Sequence, residues 1–391
     1  MQEYERAVLE KYDMDVTGTR KTRGAILCDT DQGILLLKEV QGTAKRIPVL
    51  CGLYDALLGQ GYENVDYIIR TKEGACVAEM EDGGKYILKR WFAGRECEVR
   101  RPGELLAAAG MLAKLHIVMR GNFLTEHQPP ALECPPECLP EEECVRHNRE
   151  DPQRNREHQP EEEYARHDRE DPQHNREHPL EEEYARHNRE LCKVRKFVRK
   201  LSPKGEFEYA FLRCFDQMYL WAQAAEEKLA DSGYRHLAAD SREKGCLVHG
   251  EYNYHNILVL QAESGQEPGR EFGRREQPRI AVTGFEKFKQ GIQAEDLYYF
   301  LRKVMEKQGW KVRLGDNMLN AYSAIRPLSE EEMQYLCLRF VYPEKFWKTA
   351  DSYYRSNKVL LPAKSLEKLE TAIRQTEEKK RFLEEIFSFH L

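Results

Sequence analysis

Long hydrophobic runs are missing from this chain. No stretch approaches the roughly 18 to 20 consecutive apolar residues that a membrane helix needs, which excludes a helical membrane span. The opening stretch, MQEYERAVLEKYDMDV, is charged throughout and lacks the apolar core of a secretory signal, which argues against classical secretion. A basic excess is missing too: 61 Lys and Arg face 67 Asp and Glu, a net charge of −6, so nothing points to a nucleic-acid partner. Disulfide patterning is absent, because the 11 cysteines are odd in number and scattered from Cys28 to Cys337, as suits a reduced cytosol. What is present is length: 391 residues supply two or three lobes at about 150 residues each.

Charge is unevenly distributed. Residues 140–191 carry a tandem repeat of period 20: PEEECVRHNREDPQRNREHQ, PEEEYARHDREDPQHNREHP and LEEEYARHNREL. This stretch holds 17 acidic and 9 basic residues, so the rest of the chain is close to neutral. The first two copies have almost no apolar residues with which to offset ordering entropy, and Asp151-Pro152 and Asp171-Pro172 stop any helix begun by the glutamates. The expectation is a solvated insertion over 128–179. The third copy lacks the proline and continues with Leu191, Val194, Phe197, Val198 and Leu201 at helical spacing, which predicts a genuine helix. Seven of the 12 histidines lie in 127–187, near Cys134, Cys138 and Cys144, but their spacings match no structural zinc pattern and follow the repeat.

Outside the insertion, the first 90 or so residues read as a small β-rich lobe. Strands are expected at Val16–Gly18, Gly24–Cys28 and Gly33–Val40, then a helix over 44–59, then strands ACVAEM and YILKRW. Beyond Gly94 the pattern turns helical, with an apolar stripe from Leu105 to Met119. Further helices are expected at 206–230, 294–308 and most of 316–390, with short strands CLVH, NILVL and RIAVTGF between. The expected organisation is an N-lobe at 1–92, the start of a C-lobe at 93–127, the insertion at 128–179, and the rest of the C-lobe at 180–391.

The chemistry concentrates at His249-Gly250-Glu251-Tyr252-Asn253-Tyr254-His255-Asn256, between apolar strands. Kinases place an acidic base and a metal-binding amide on one such loop, spaced H-x-D-x-x-x-x-N. About 27 residues on, the strand ending VTGFEKF occupies the place of the second metal carboxylate. Upstream, ILLLKEV carries Lys38 where kinases keep the lysine that pairs the α- and β-phosphates.

These segments, with KTRGAILCDTDQGILLLKEV, YILKRWFAGRE, AAGMLAKLH, EEEYARHNREL, GFEKFKQGIQAEDLYYFLRK and VYPEKFWK, resemble the CotS family of bacterial spore coat proteins. That resemblance implies an α+β, bilobal protein kinase-like fold shared with aminoglycoside phosphotransferases and choline kinases. It implies other spore coat proteins as partners, a path from the mother-cell cytoplasm to the coat, and ATP with Mg²⁺ as the cofactors of any activity. Neither a nucleic-acid partner nor membrane insertion is expected.

The candidate site is then Glu251, Asn256 and His249 as catalytic residues, Lys38 on the nucleotide, and Asn256 with Glu286 on the metal. Departures from a working phosphotransferase accompany it. Glu251 stands where Asp is usual, Gly284 occupies the usual metal carboxylate position, and Asp55 is the only acid of the 44–59 helix. No G-x-G-x-x-G loop covers the phosphates; Gly18 and Gly24 flank only a basic turn. If the strand runs through 286, Glu286 faces the same side as residue 284 and takes its role. His249 reads as a catalyst or as a residue holding the loop. Asp296 reads as a helix-dipole acid or as a tether of the loop, and the aromatics from Tyr342 to Tyr354 read as helix packing. Two functions stay open: a structural or assembly component with a degenerate site, and an atypical phosphotransferase acting on a hydroxyl.

Overall fold

The computed structural model describes residues 3–22, 24–40, 46–121, 179–261, 278–355 and 363–390. Apart from Pro179, the insertion expected at 128–179 lies outside the described residues, as does most of the 261–278 connection.

Apolar runs broken by short turns build the first lobe. A helix, α1 (Glu3–Leu9), leads into β1 (Val16–Thr22), β2 (Ala25–Thr30) and β3 (Gly33–Glu39), then α2 (Ile47–Gly59), β4 (Ile68–Ile69), β5 (Ala78–Glu79) and β6 (Lys85–Arg90). The sheet is antiparallel in the order β1-β2-β3-β6-β4, with β5 also on β6. Alternation divides its side chains between two faces. Cys28, Leu35, Leu37 and Leu88 pack under Val8, Leu9 and Tyr12 on the outer face. The opposite face carries Leu36, Lys38, Ile87 and Lys89, where Lys38 pairs in register with Ile87 and Leu36 with Lys89.

Two strands differ from expectation. ACVAEM shortens to Ala78–Glu79, because Thr71 closes a turn over Ala75 through backbone (2.8 Å) and hydroxyl (3.1 Å) hydrogen bonds. RIAVTGF yields only Ile280–Val282, because Gly284 takes a left-handed backbone, φ +85°, and ends the strand. The 44–59 helix begins at Ile47, with Pro48 in its first turn.

The chain crosses to the second lobe through β7 (Gly94–Glu96), which pairs with β9 (Ile257–Leu260), itself paired with β10 (Ile280–Val282). Around these lie α3 (Pro102–Val118), α4 (Leu180–Lys200), α5 (Glu206–Ala230), α6 (Tyr234–Glu243), and β8 (Leu247–Val248) paired with β11 (Lys289–Gln290). Helices α7 (Ala294–Gln308), α8 (Val312–Ser323), α9 (Glu330–Val341), α10 (Glu344–Arg355), α11 (Ala363–Arg374) and α12 (Thr376–Phe387) complete it. One apolar core runs from α2 and Ile87 through α3 and α5 to α9.

The third repeat copy forms the first half of α4, as its pattern predicts. Leu180, Tyr184, His187, Asn188, Leu191, Val194 and Val198 are its buried face. Tyr184 stacks on Tyr342 and His187 on Trp347, with ring centroids 4.1 and 3.4 Å apart. Phe346 stacks on Phe211, Tyr353 on Phe207, and Tyr354 meets Phe197 edge-on, so the aromatics of 342–354 are helix packing.

Candidate active site

The 249–256 loop links β8 to β9 and is fixed from below. Asp296, in the first turn of α7 and 2% exposed, accepts the backbone N–H of His249 at 2.6 Å and of Gly250 at 3.0 Å. The His116 ring lies 3.2 Å from the same carboxylate, and its other nitrogen is 2.7 Å from the Tyr322 hydroxyl. A carboxylate only accepts, so His116 Nε2 carries the proton. Burial pushes the Asp296 carboxyl up, but His116 and the backbone donors more than reverse this and hold it below the usual range. Asp296 therefore tethers the loop. Gly250 has φ +84°, and a Cβ there would stand 2.2 Å from the Lys287 carbonyl oxygen, so that position admits glycine alone.

His249 is fully buried. Its Nδ1 accepts the Glu251 backbone N–H at 3.1 Å, and its Nε2 donates to the Thr283 carbonyl at 3.0 Å. Both nitrogens have backbone partners, which fits the reading of His249 as a residue that holds the loop against the turn after β10. Tyr252, buried, anchors the loop to the Ala108 carbonyl at 2.7 Å. Asn253 and Asn256 each donate a side-chain N–H to the Glu251 carbonyl at 2.9 Å, which curls the loop around that group. The Glu251 carboxylate, about one-third exposed, lies 2.8 Å from the Lys287 ammonium.

Across from Asn256 stands Gly284. A Cβ on Gly284 would come within 3.0 Å of the Asn256 amide, and its N–H donates to Asp66 at 2.9 Å. After it, Phe285–Lys287 form a single 3₁₀ turn, with Phe285 buried 4.5 Å from the His249 ring. The expectation that Glu286 follows residue 284 along a strand is thus corrected. The turn rotates Glu286 onto the sheet, where its Oε1 is 3.3 Å from Lys38 Nζ and 3.0 Å from Lys89 Nζ. Burial alone would raise the Glu286 pKa; the charges of Lys89 and Lys38 and the Lys89 hydrogen bond hold it well below the ordinary value.

Two residues of this network escaped the sequence reading. Lys89, 1% exposed, forms an ion pair with Asp66, equally buried, which also accepts the Tyr54 hydroxyl at 2.7 Å. Burial disfavours the Lys89 ammonium, yet Asp66 and Glu286 keep its pKa above that of an ordinary lysine. The signal was present in alternation: Lys89 shares a strand face with buried Ile87, and an inward charge needs a partner. Asp66, inside the apolar run Val65–Ile69, was the matching sign. Asp55 pairs instead with Arg70 at 2.8 Å, away from Lys38.

Lys38, Glu251, Asn256, Gly284 and Glu286 thus line one region between the lobes. A cavity of about 1190 Å³ adjoins it, lined by Lys38, Arg46, Ile87, Glu286, Lys287 and Phe288 among others. The donor set does not fit Mg²⁺ in the usual kinase position. Asn256 offers a neutral amide oxygen, Gly284 offers nothing, and Glu286 is engaged by two ammonium groups. Among the described residues no group of three or more His, Cys, Asp or Glu is arranged to hold a metal.

Residues 293–386 match the family model described as "Spore coat putative kinase YutH". The whole chain superposes on an aminoglycoside phosphotransferase from Alicyclobacillus acidocaldarius, at 16% identity and a TM-score of 0.74, covering 98% of this chain and 95% of that one. It also superposes on the spectinomycin phosphotransferase APH(9)-Ia, solved with ADP and spectinomycin, at 11% identity and a TM-score of 0.54, covering 96% and 99%. No curated protein matches the chain. The fold is the bilobal, protein kinase-like fold of these phosphotransferases, and the match over 293–386 agrees with the resemblance to kinase-like spore coat proteins.

Proposed function

We propose that this chain is a spore coat-associated, kinase-like protein whose cleft serves binding and assembly with other coat proteins rather than phosphoryl transfer. One observation carries this reading: Glu286, the nearest replacement for a metal carboxylate, lies between Lys38 and Lys89. The phosphate-pairing lysine and the metal acid neutralise each other, so a triphosphate would have to displace a carboxylate to reach either cation. The match of residues 293–386 to a spore coat family supports the association with the coat.

A specific feature favours the alternative, an atypical ATP-dependent phosphotransferase acting on a hydroxyl of a small molecule, cell-wall component or coat protein. Asp296 and Gly250 hold Glu251 and Asn256 on one rigid loop, as transfer chemistry requires. Isothermal titration with ATP, with and without Mg²⁺ or Mn²⁺, separates the two. Weak binding that gains nothing from metal is the expected result. Tight metal-dependent binding that Glu286→Gln abolishes, together with ATP turnover, would overturn the assembly reading in favour of the enzyme.

A further inference from the structure

Another cavity, of about 50 Å³, lies inside the helical lobe, and none of the described residues lining it belongs to the 249–256 loop or the 284–287 turn. Its apolar wall is Met218 and Trp221 of α5, Trp310 after α7, Phe340 of α9 and Phe346 of α10. A buried water needs about 10–15 Å³ of such space, so the cavity admits roughly four water-sized groups. Five charged side chains share this wall: Arg302 and Glu306 of α7, Glu344 and Lys345 of α10, and Lys379 of α12.

Both carboxylates are already engaged. Glu306 meets Arg302 at 3.0 Å and Lys345 at 3.8 Å, and Glu344 meets Arg302 at 3.4 Å and Lys348 at 2.7 Å. Lys379 takes part in none of these pairs. Among the described residues its ammonium forms no hydrogen bond or ion pair; it faces the rings of Trp221 and Trp310, 4.9 and 5.4 Å from their centres. Arg302 is 8% exposed, and its buried Nε–H also lacks an acceptor. Three cations thus face two carboxylates, an excess of one positive charge, and two donors in an aromatic compartment are unmet.

We propose that this cavity binds a small monocarboxylate, whose oxygens accept from the Lys379 ammonium and the Arg302 Nε–H while its short alkyl end lies against the indoles. A carboxylate brings one negative charge and two acceptors, which matches the one uncompensated cation and the two unmet donors. A quaternary ammonium would meet Lys379 as a like charge. Binding is coupled to protonation. Burial above all, with the Arg302 charge, lowers the Lys379 pKa to about 7 against the opposing charges of Glu306 and Glu344. Tyr298 and Tyr342, the other titratable groups on the wall, have pKa values raised by burial and stay protonated. A bound carboxylate favours the ammonium, so affinity is full below pH 7 and falls above it as the free lysine loses its proton. The site is independent of whether the cleft between the lobes transfers phosphate.

The test titrates the full chain with sodium acetate, and with sodium chloride at equal ionic strength, while following indole fluorescence; Trp221 and Trp310 are two of the four tryptophans. Acetate should give a saturable change and chloride none, with a Kd about tenfold larger at pH 9 than at pH 8. Calorimetry at pH 8 in two buffers of different ionisation enthalpy should show close to one proton taken up per acetate bound, a reading that needs no variant. Lys379→Met keeps the apolar stem and removes the charge, so it should abolish saturation without lowering the thermal midpoint. Absence of saturation, an equal response to chloride (an adventitious anion only), a Kd unchanged from pH 8 to pH 9, or undiminished binding in folded Lys379→Met would each overturn the proposal.

Discussion

Lys89 holds a full positive charge with 1% of its side chain exposed, and two carboxylates make that tolerable. Removing one member of such a set strands the other. Lys89→Met should therefore cost about 3–5 kcal/mol, read as a lowered midpoint in denaturant, because Asp66 is left buried and unpaired. Adding Asp66→Asn should recover most of that loss, and a double variant no better than Lys89→Met would refute the pairing argument. Titration offers a second check. The folded pKa of Glu286 lies below its ordinary 4.5, so its stabilisation is fully present above that value and is lost as pH falls below it. Stability measured from pH 6 down to pH 3 should fall less steeply in Glu286→Gln than in the wild type. The sequence exposed Lys38 and Gly284 but not this network: alternation turns Lys89 inward beside Ile87, yet no periodicity says that its partner is residue 66.

Helix α4 shows what a repeat copy becomes when it has a partner. Tyr184, His187 and Asn188 are repeat residues, yet in the third copy they meet Tyr342, Trp347 and the α5 carbonyl of Ala222. The apolar continuation from Leu191 made that helix legible; the stacking partners, some 150 residues away, were not. Burial and the neighbouring Arg186 lower the His187 pKa to about 3, so the folded ring stays neutral where the unfolded one protonates. Stability should decline as pH drops from about 6.5 towards 5, and His187→Phe should reduce that decline in melts across the range. An unchanged slope would mean that His187 is solvated. The segment after Val282 was misread for a different reason: strand alternation assumes an uninterrupted strand, and one left-handed glycine breaks it.

Across the whole molecule, the order of β-rich and helical segments announced two lobes, because each run was long enough for its period to show. Residues 140–179 carry two repeat periods with little apolar surface, and deleting them should leave the melting temperature nearly unchanged. A drop of several degrees would show that the stretch contributes to the fold. The lobes themselves are fastened at many points. Glu286 holds Lys38 and Lys89, Gly284 holds Asp66, Phe285 packs on Tyr54, Arg46 bonds the Phe288 carbonyl, and β7 is sewn onto β9. Such a joint behaves mechanically as a weld rather than a hinge. A pull on the first lobe passes directly into the second, and the link breaks only when several buried ionic and apolar contacts fail together.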